Sequence, residues 1–196
     1  MRHATKRLWL ALVWCAIVGA AVQAPPAQAE DWGWKYEGTA GDEQFVMGFR
    51  AGPGFMTQST GTSKVGPTVN FSGMYTINAW FRAGMMLDWD HHHIQRRGGS
   101  LNTVSFMPAV LEFRPGRFGP VMPYGSMGIG VNINDDNQSD SVAWRTAAGL
   151  DYPLTNWFPN APKSLMLNTE AAWKRNRANN ADFSTLNWLF GLRYGF

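Results

Sequence analysis

The stretch "NWLFGLRYGF", residues 187–196, ends the chain and places Trp188, Phe190, Leu192, Tyr194 and Phe196 on alternate positions, with Asn187, Leu189, Gly191, Arg193 and Gly195 between them. A period of two is that of an extended strand, whose successive side chains point to opposite faces, and not that of a helix. One face is therefore apolar and aromatic. The other is small or polar and carries an arginine. A half-buried sheet in water and a strand in lipid both alternate in this way, so the meaning of the apolar face depends on the rest of the chain.

The first residues read as a targeting segment. Arg2, His3, Lys6 and Arg7 precede an uncharged run from Leu8 to Val22, and Ala27-Gln28-Ala29 supplies small residues before Glu30. This is the pattern of a secretory signal peptide over residues 1–29. Cys15 lies within it, and Trp14 stands where lipoprotein processing needs a small residue. The segment holds three of the seventeen Lys and Arg residues and no acid, so the remainder carries fourteen basic residues against fourteen acidic ones. That balance excludes the clustered positive charge of a nucleic-acid partner. Without Cys15 the remainder also has no cysteine, which excludes a disulfide framework and thiol chemistry.

The same alternation recurs along the chain. Phe45, Met47, Phe49, Ala51 and Phe55 form one stripe, and Val69, Phe71 and Tyr75 a second. Phe81, Ala83, Met85, Leu87 and Trp89 form a third. The stretch from Asn102 to Phe113 changes parity between Phe106 and Met107, which predicts a bulge near Pro108, since proline has no ladder donor. Met127, Ile129, Val131 and Ile133 follow, then Trp144, Thr146, Ala148, Leu150 and Tyr152, then Leu165, Leu167, Ala171 and Trp173. With the closing stretch this predicts eight strands of roughly ten residues, the length that a tilted strand needs to cross a bilayer. Polar loops follow strands one, three, five and seven, among them "HHHIQRRGGS", and tighter turns follow the others. No segment after the signal reaches the roughly 18 apolar residues of a membrane helix.

The distribution of charge decides between lipid and water. The apolar stripes hold hardly an ionisable group, whereas the opposite stripes carry Arg50, Arg82, Asp88, Glu112, Arg145, Asp151, Glu170, Lys174 and Arg193. A soluble sandwich would bury the apolar face and wet the charges. Here the apolar face is expected to be the outside. In lipid every backbone polar group must be paired within the protein, which a closed barrel achieves. The expected architecture is an all-β, eight-stranded, antiparallel up-and-down transmembrane barrel over residues 44–196. A short periplasmic segment, 30–43, would precede it. Trp80, Trp89, Tyr124, Trp144, Tyr152, Trp157, Trp173 and Trp188 are expected in aromatic girdles.

In "MPYGSMGIGV", "GLDYPLTNWF" and the terminal Phe196 with aromatics two and six residues before it, the chain resembles the small eight-stranded outer-membrane β-barrel proteins of Gram-negative bacteria, of the OmpA-like and OmpX-like kind. The resemblance covers Gln44 to Phe196 as a pattern. It implies a monomeric barrel in the outer membrane, in contact with lipid and lipopolysaccharide. It also implies that Phe190, Tyr194 and Phe196 are the signal read by the barrel-assembly machinery. None of the matching pieces is catalytic, and the fold by itself names no activity.

Three features could carry function. The inward charges could pair and fill a lumen that eight strands leave barely wide enough for side chains, giving a sealed barrel whose outer loops do the work. Left unfilled, they would line a narrow channel for small solutes or ions. His91, His92 and His93 beside Asp88 and Asp90 could attract a metal, but neighbours on a strand face apart, so a solvated loop without metal or cofactor is expected. Arg96 and Arg97, with Lys174, Arg175 and Arg177, are expected on the outer rim, where guanidinium forks suit lipopolysaccharide phosphates. Some barrels of this architecture are lipid A deacylases with a histidine and serine two apart. The comparable region here reads "KRNRANN", no His-x-Ser occurs, and Ser126 has no nucleophile-elbow context. No enzymatic activity is expected.

Overall fold

The computed structural model describes residues 43–56, 65–94, 99–134, 141–178 and 181–196. The signal peptide, nearly all of the 30–43 segment, the loop cations Arg96 and Arg97, and the loop centres at Ser59, Asn137 and Asn179 lie outside the described residues. Eight strands follow one another: β1 (Phe45–Met56), β2 (Val65–Thr76), β3 (Phe81–Ile94), β4 (Gly99–Phe113), β5 (Met122–Asn134), β6 (Ser141–Pro153), β7 (Leu165–Ala178) and β8 (Ala181–Gly195). A single 3₁₀ turn at Leu154–Asn156 follows β6. Each strand pairs antiparallel with its neighbour, and β1 pairs with β8 to close the barrel. Closure leaves no unpaired sheet edge, the arrangement that lipid demands of a β structure.

Alternation carries over directly into orientation. Phe49, Phe71, Leu87, Met127, Trp144, Trp188 and Phe190 are exposed on the outer wall, while Arg50, Asn70, Asp88, Arg145 and Asn187 are buried inside. The terminal aromatic stripe runs along the seam: Phe196 donates its N–H to the Phe45 carbonyl at 2.8 Å, and the rings of Tyr194 and Phe196 meet edge to face at 4.8 Å. The start of β1 and the end of β8 thus share one rim, called here the terminal end.

The parity change in β4 is a bulge. Its pairing with β5 jumps from Phe106↔Val131 to Ala109↔Ile129, and with β3 from Met86↔Met107 to Gly84↔Val110, so β4 carries one extra residue against both neighbours. Pro108 sits at the jump and is paired with neither neighbouring strand, so its missing N–H costs no ladder bond. Met107 falls on the inner side of the bulge and is fully buried, contrary to the outward stripe expected for it. It packs with Met74, Met86, Val110 and Ala143 in an apolar pad inside the barrel, and Val46, Met122 and Met166 form a second pad at the terminal end. Unbranched methionines suit these irregular gaps. Opposite the bulge, a Cβ on Gly130 would overlap the Phe106 carbonyl oxygen, whereas one on Gly125 would meet nothing closer than 3.9 Å. Gly130→Ala is therefore expected to cost ~1–3 kcal/mol of folding stability through forced backbone shifts, and Gly125→Ala close to nothing. Urea unfolding of the refolded barrel in lipid vesicles checks the pair.

Three expectations are corrected. The histidine triplet is not a loop: β3 continues to Ile94, and His92 is buried on its inner face. Composition suggested a polar loop, but the even-numbered positions from Arg82 onward simply keep pointing inward. Tyr124 belongs to no girdle, because it shares the inner parity of Ser126 and Gly128 and is only 3% exposed. Lys174 does not reach the rim; it is buried in the lumen.

Candidate functional site

The interior is a packed ionic network in three layers, built from residues that alternate inward on all eight strands. In the middle layer Glu170 on β7 accepts from Arg50 at 2.5 Å, from Arg145 and from the Tyr124 hydroxyl at 2.8 Å. Arg50 spends its remaining donors on Asn70 at 2.8 Å, Ser72 at 3.0 Å and the Tyr124 oxygen at 3.1 Å. Arg145 also lies 3.4 Å from Asp88, which accepts from the Asn70 amide. One carboxylate on β7 thus holds two guanidiniums, one from β6 and one from β1. The planar forks of arginine allow such multiple charge-assisted bonds. Gly149 makes room for Tyr124, since a Cβ there would strike the phenol ring.

Nearer the terminal end, Arg193 bridges Glu112 at 2.6 Å and Asp151 at 2.9 Å. Asn168 donates to Asp151 at 2.6 Å. Arg82 lies 3.7 Å from Glu112 and 3.8 Å from Glu43, and Arg114 lies 3.6 Å from Asp151. The Arg193 guanidinium stands 4.9 Å from the centre of the Tyr124 ring, a cation–π contact that joins this layer to the middle one. At the far end Lys174 pairs with Asp90 and donates to Ser105 at 2.9 Å. Asp90 also accepts from Thr68 at 2.7 Å and Asn187 at 3.2 Å.

All nine residues expected in the lumen lie inside it, and each has an ion-pair partner within the network. The expected charged set omits Arg114, Asp90, Tyr124 and Glu43. Asp90 already stands on the inward stripe of the third strand, and Arg114 and Tyr124 only require that parity to be carried one or two positions past the expected strand ends. Among the described residues, six buried cations (Arg50, Arg82, Arg114, Arg145, Lys174 and Arg193) meet five buried carboxylates (Asp88, Asp90, Glu112, Asp151 and Glu170), and Glu43 enters from ahead of β1 as the sixth. Over the described residues these charges balance. Breaking one member out of such a network strands a charge away from water, the expensive case among buried ion pairs.

Of the other candidates, Ser126 faces the lumen, buried, and no hydrogen-bond partner reaches its hydroxyl among the described residues. His91 faces outward, its Nδ1 2.7 Å from the Asn102 side-chain oxygen and its ring stacked on Trp89. Among the described residues no group of three His, Cys, Asp or Glu side chains is placed to hold a metal ion. Phe190, Tyr194 and Phe196 are exposed along the outer wall of β8.

A closed barrel of eight strands, apolar outside and ionic inside, defines a membrane protein of the small outer-membrane class. Residues 14–196 match the family model described as the outer membrane protein beta-barrel domain, and the chain belongs to that family. Its fold is similar to that of Neisserial surface protein A, at 16% identity and a TM-score of 0.59, over 78% of this chain and 97% of that one. Further similar structures are the Ail protein of Yersinia pestis, at 14% identity and a TM-score of 0.45 over 80% of this chain and 100% of that one. The N-terminal barrel of Pseudomonas aeruginosa OprF matches at 15% identity and a TM-score of 0.44, over 78% and 98%. No curated protein sequence matches the chain.

Proposed function

We propose that this protein is a non-conducting outer-membrane barrel whose role is structural, or recognition through its outer loops, with the ionic lumen acting as a rigid internal brace. The observation that supports this reading is the burial of the network: the guanidiniums and carboxylates of the middle layer are at most 2% exposed, and an eight-stranded wall leaves little room beyond its own side chains. In this reading the signal peptide exports the chain and the terminal end faces the periplasm. The end of the barrel opposite the terminal end is then the side in contact with lipopolysaccharide. The protein acts as a monomer, and Phe190, Tyr194 and Phe196 present the assembly signal to the barrel-assembly machinery. The inward direction of Ser126 supports a non-enzymatic role, because an acyl chain in the membrane meets the outer wall.

Planar-bilayer recording tests the seal. The wild-type protein is expected to give no unitary current steps at neutral pH. Well-defined steps that disappear in Arg82→Met or Arg145→Met would establish a channel instead. Trimming the four connections that follow β1, β3, β5 and β7 is expected to abolish binding to a cellular or matrix partner while leaving the folded barrel intact. A changed lipid A mass spectrum in cells that carry the protein would establish an enzyme.

A further inference from the structure

We infer that His92 is a proton-binding site at the far end of the lumen, where uptake of one proton from solvent by the imidazole unseats the Asp90–Lys174 ion pair and loosens that end of the barrel. The ring is 1% exposed, and neither of its nitrogens has a hydrogen-bond partner among the described residues. Its neighbour His91 is different: it turns outward, with Asn102 and Trp89 as partners. A buried polar group with nothing to bond is rare and needs a reason.

The surroundings supply one. Among the described residues, the charged or titratable groups that act on His92 are Asp90 and His91 on its own strand and Lys174 on β7. From β2 it meets Gly66, whose lack of a Cβ leaves room for the ring, and the next inward residue on that strand is Thr68. Asp90 is already committed. One oxygen accepts from Thr68 and Asn187, and the other from Lys174. A protonated ring therefore adds a second cation to a pocket with one carboxylate. Either Asp90 leaves Lys174 for the imidazolium, or the imidazolium stays unpaired in a dry site. Both outcomes weaken the packing of β3 against β7 across the lumen.

Histidine is the side chain whose ordinary titration falls between pH 5 and 8, and in the layer of Lys174 and Asp90 the buried histidine is His92. The inference rests on the filled lumen proposed above, but its test is separate: bilayer silence at pH 7.5 examines the seal, and stability against pH examines His92.

The refolded full-length mature protein in phosphatidylcholine vesicles provides the measurement. The thermal unfolding midpoint of the wild type is expected to fall by roughly 5 °C between pH 7.5 and pH 5.0. His92→Leu is expected to remove that fall, and His91→Gln to keep it. An unchanged wild-type midpoint, or an equal fall in His92→Leu, overturns the inference. If His92→Leu does not fold, NMR titration of the wild-type imidazole decides: the Lys174 ammonium signal is expected to shift with the same midpoint as the ring. A ring that titrates while the Lys174 signal stays still overturns the inference.

Discussion

Glu170→Leu is expected to destabilise the barrel by ~3–5 kcal/mol, the range for removing one partner of a buried ionic group. Among the described residues Glu170 is the sole carboxylate bonded to Arg50, and it is shared with Arg145 and the Tyr124 hydroxyl. Its loss leaves one guanidinium with only neutral partners, Asn70, Ser72 and Tyr124, and the other with Asp88 at 3.4 Å. Urea unfolding in vesicles, followed by tryptophan fluorescence, gives the difference. Adding Arg50→Met to Glu170→Leu is expected to restore part of the loss, because the cation left without a carboxylate goes with it. A double variant that is less stable than Glu170→Leu alone would show that Arg50 stabilises the wall through its hydrogen bonds to Asn70 and Ser72 more than it depends on Glu170.

Phe71→Arg is expected to cost ~2–4 kcal/mol, the range for an arginine on the lipid face of a barrel near the bilayer midplane. Phe71 is 52% exposed, halfway along β2, and its ring lies 4.9 Å from that of Phe49 on β1. In water an exposed Phe→Arg change is close to neutral. The size of the effect therefore measures whether this wall meets lipid. Folding into vesicles is expected to fall for Phe71→Arg and much less for Tyr75→Arg, which sits at the end of the strand, where an arginine reaches the headgroups. Equal costs at the two positions would place the apolar band elsewhere on the wall.

Both substitutions lie at positions whose orientation can be read from the chain alone. Phe71 and Arg50 are assigned to opposite faces by parity, and parity is a local property of extended backbone. Composition points the other way at a few positions, and there parity prevails. "HHHIQRR" looks like a loop because it is polar, yet His92 lies in phase with Asp88 and Asp90 and points inward with them. Tyrosine is common in girdles, yet Tyr124 lies in phase with Ser126 and Gly128, and that parity is internal. At β4 the proline announced the bulge, but the position of the extra residue, and with it the inward turn of Met107, depended on how β3 and β5 pair around it.

The sequence by itself determined the strand count, the antiparallel order, the oily exterior and the ionic interior, because alternation and turn chemistry act over a few residues. Only the tertiary structure decided which charge meets which. Arg50 and Glu170 are 120 residues apart, and their meeting depends on the stagger at which β1 joins β8. That stagger is set by the closure of the whole wall. The same closure brings Glu43 to Arg82 and leaves His92 without a hydrogen-bond partner among the described residues, and no short stretch of the chain contains either result.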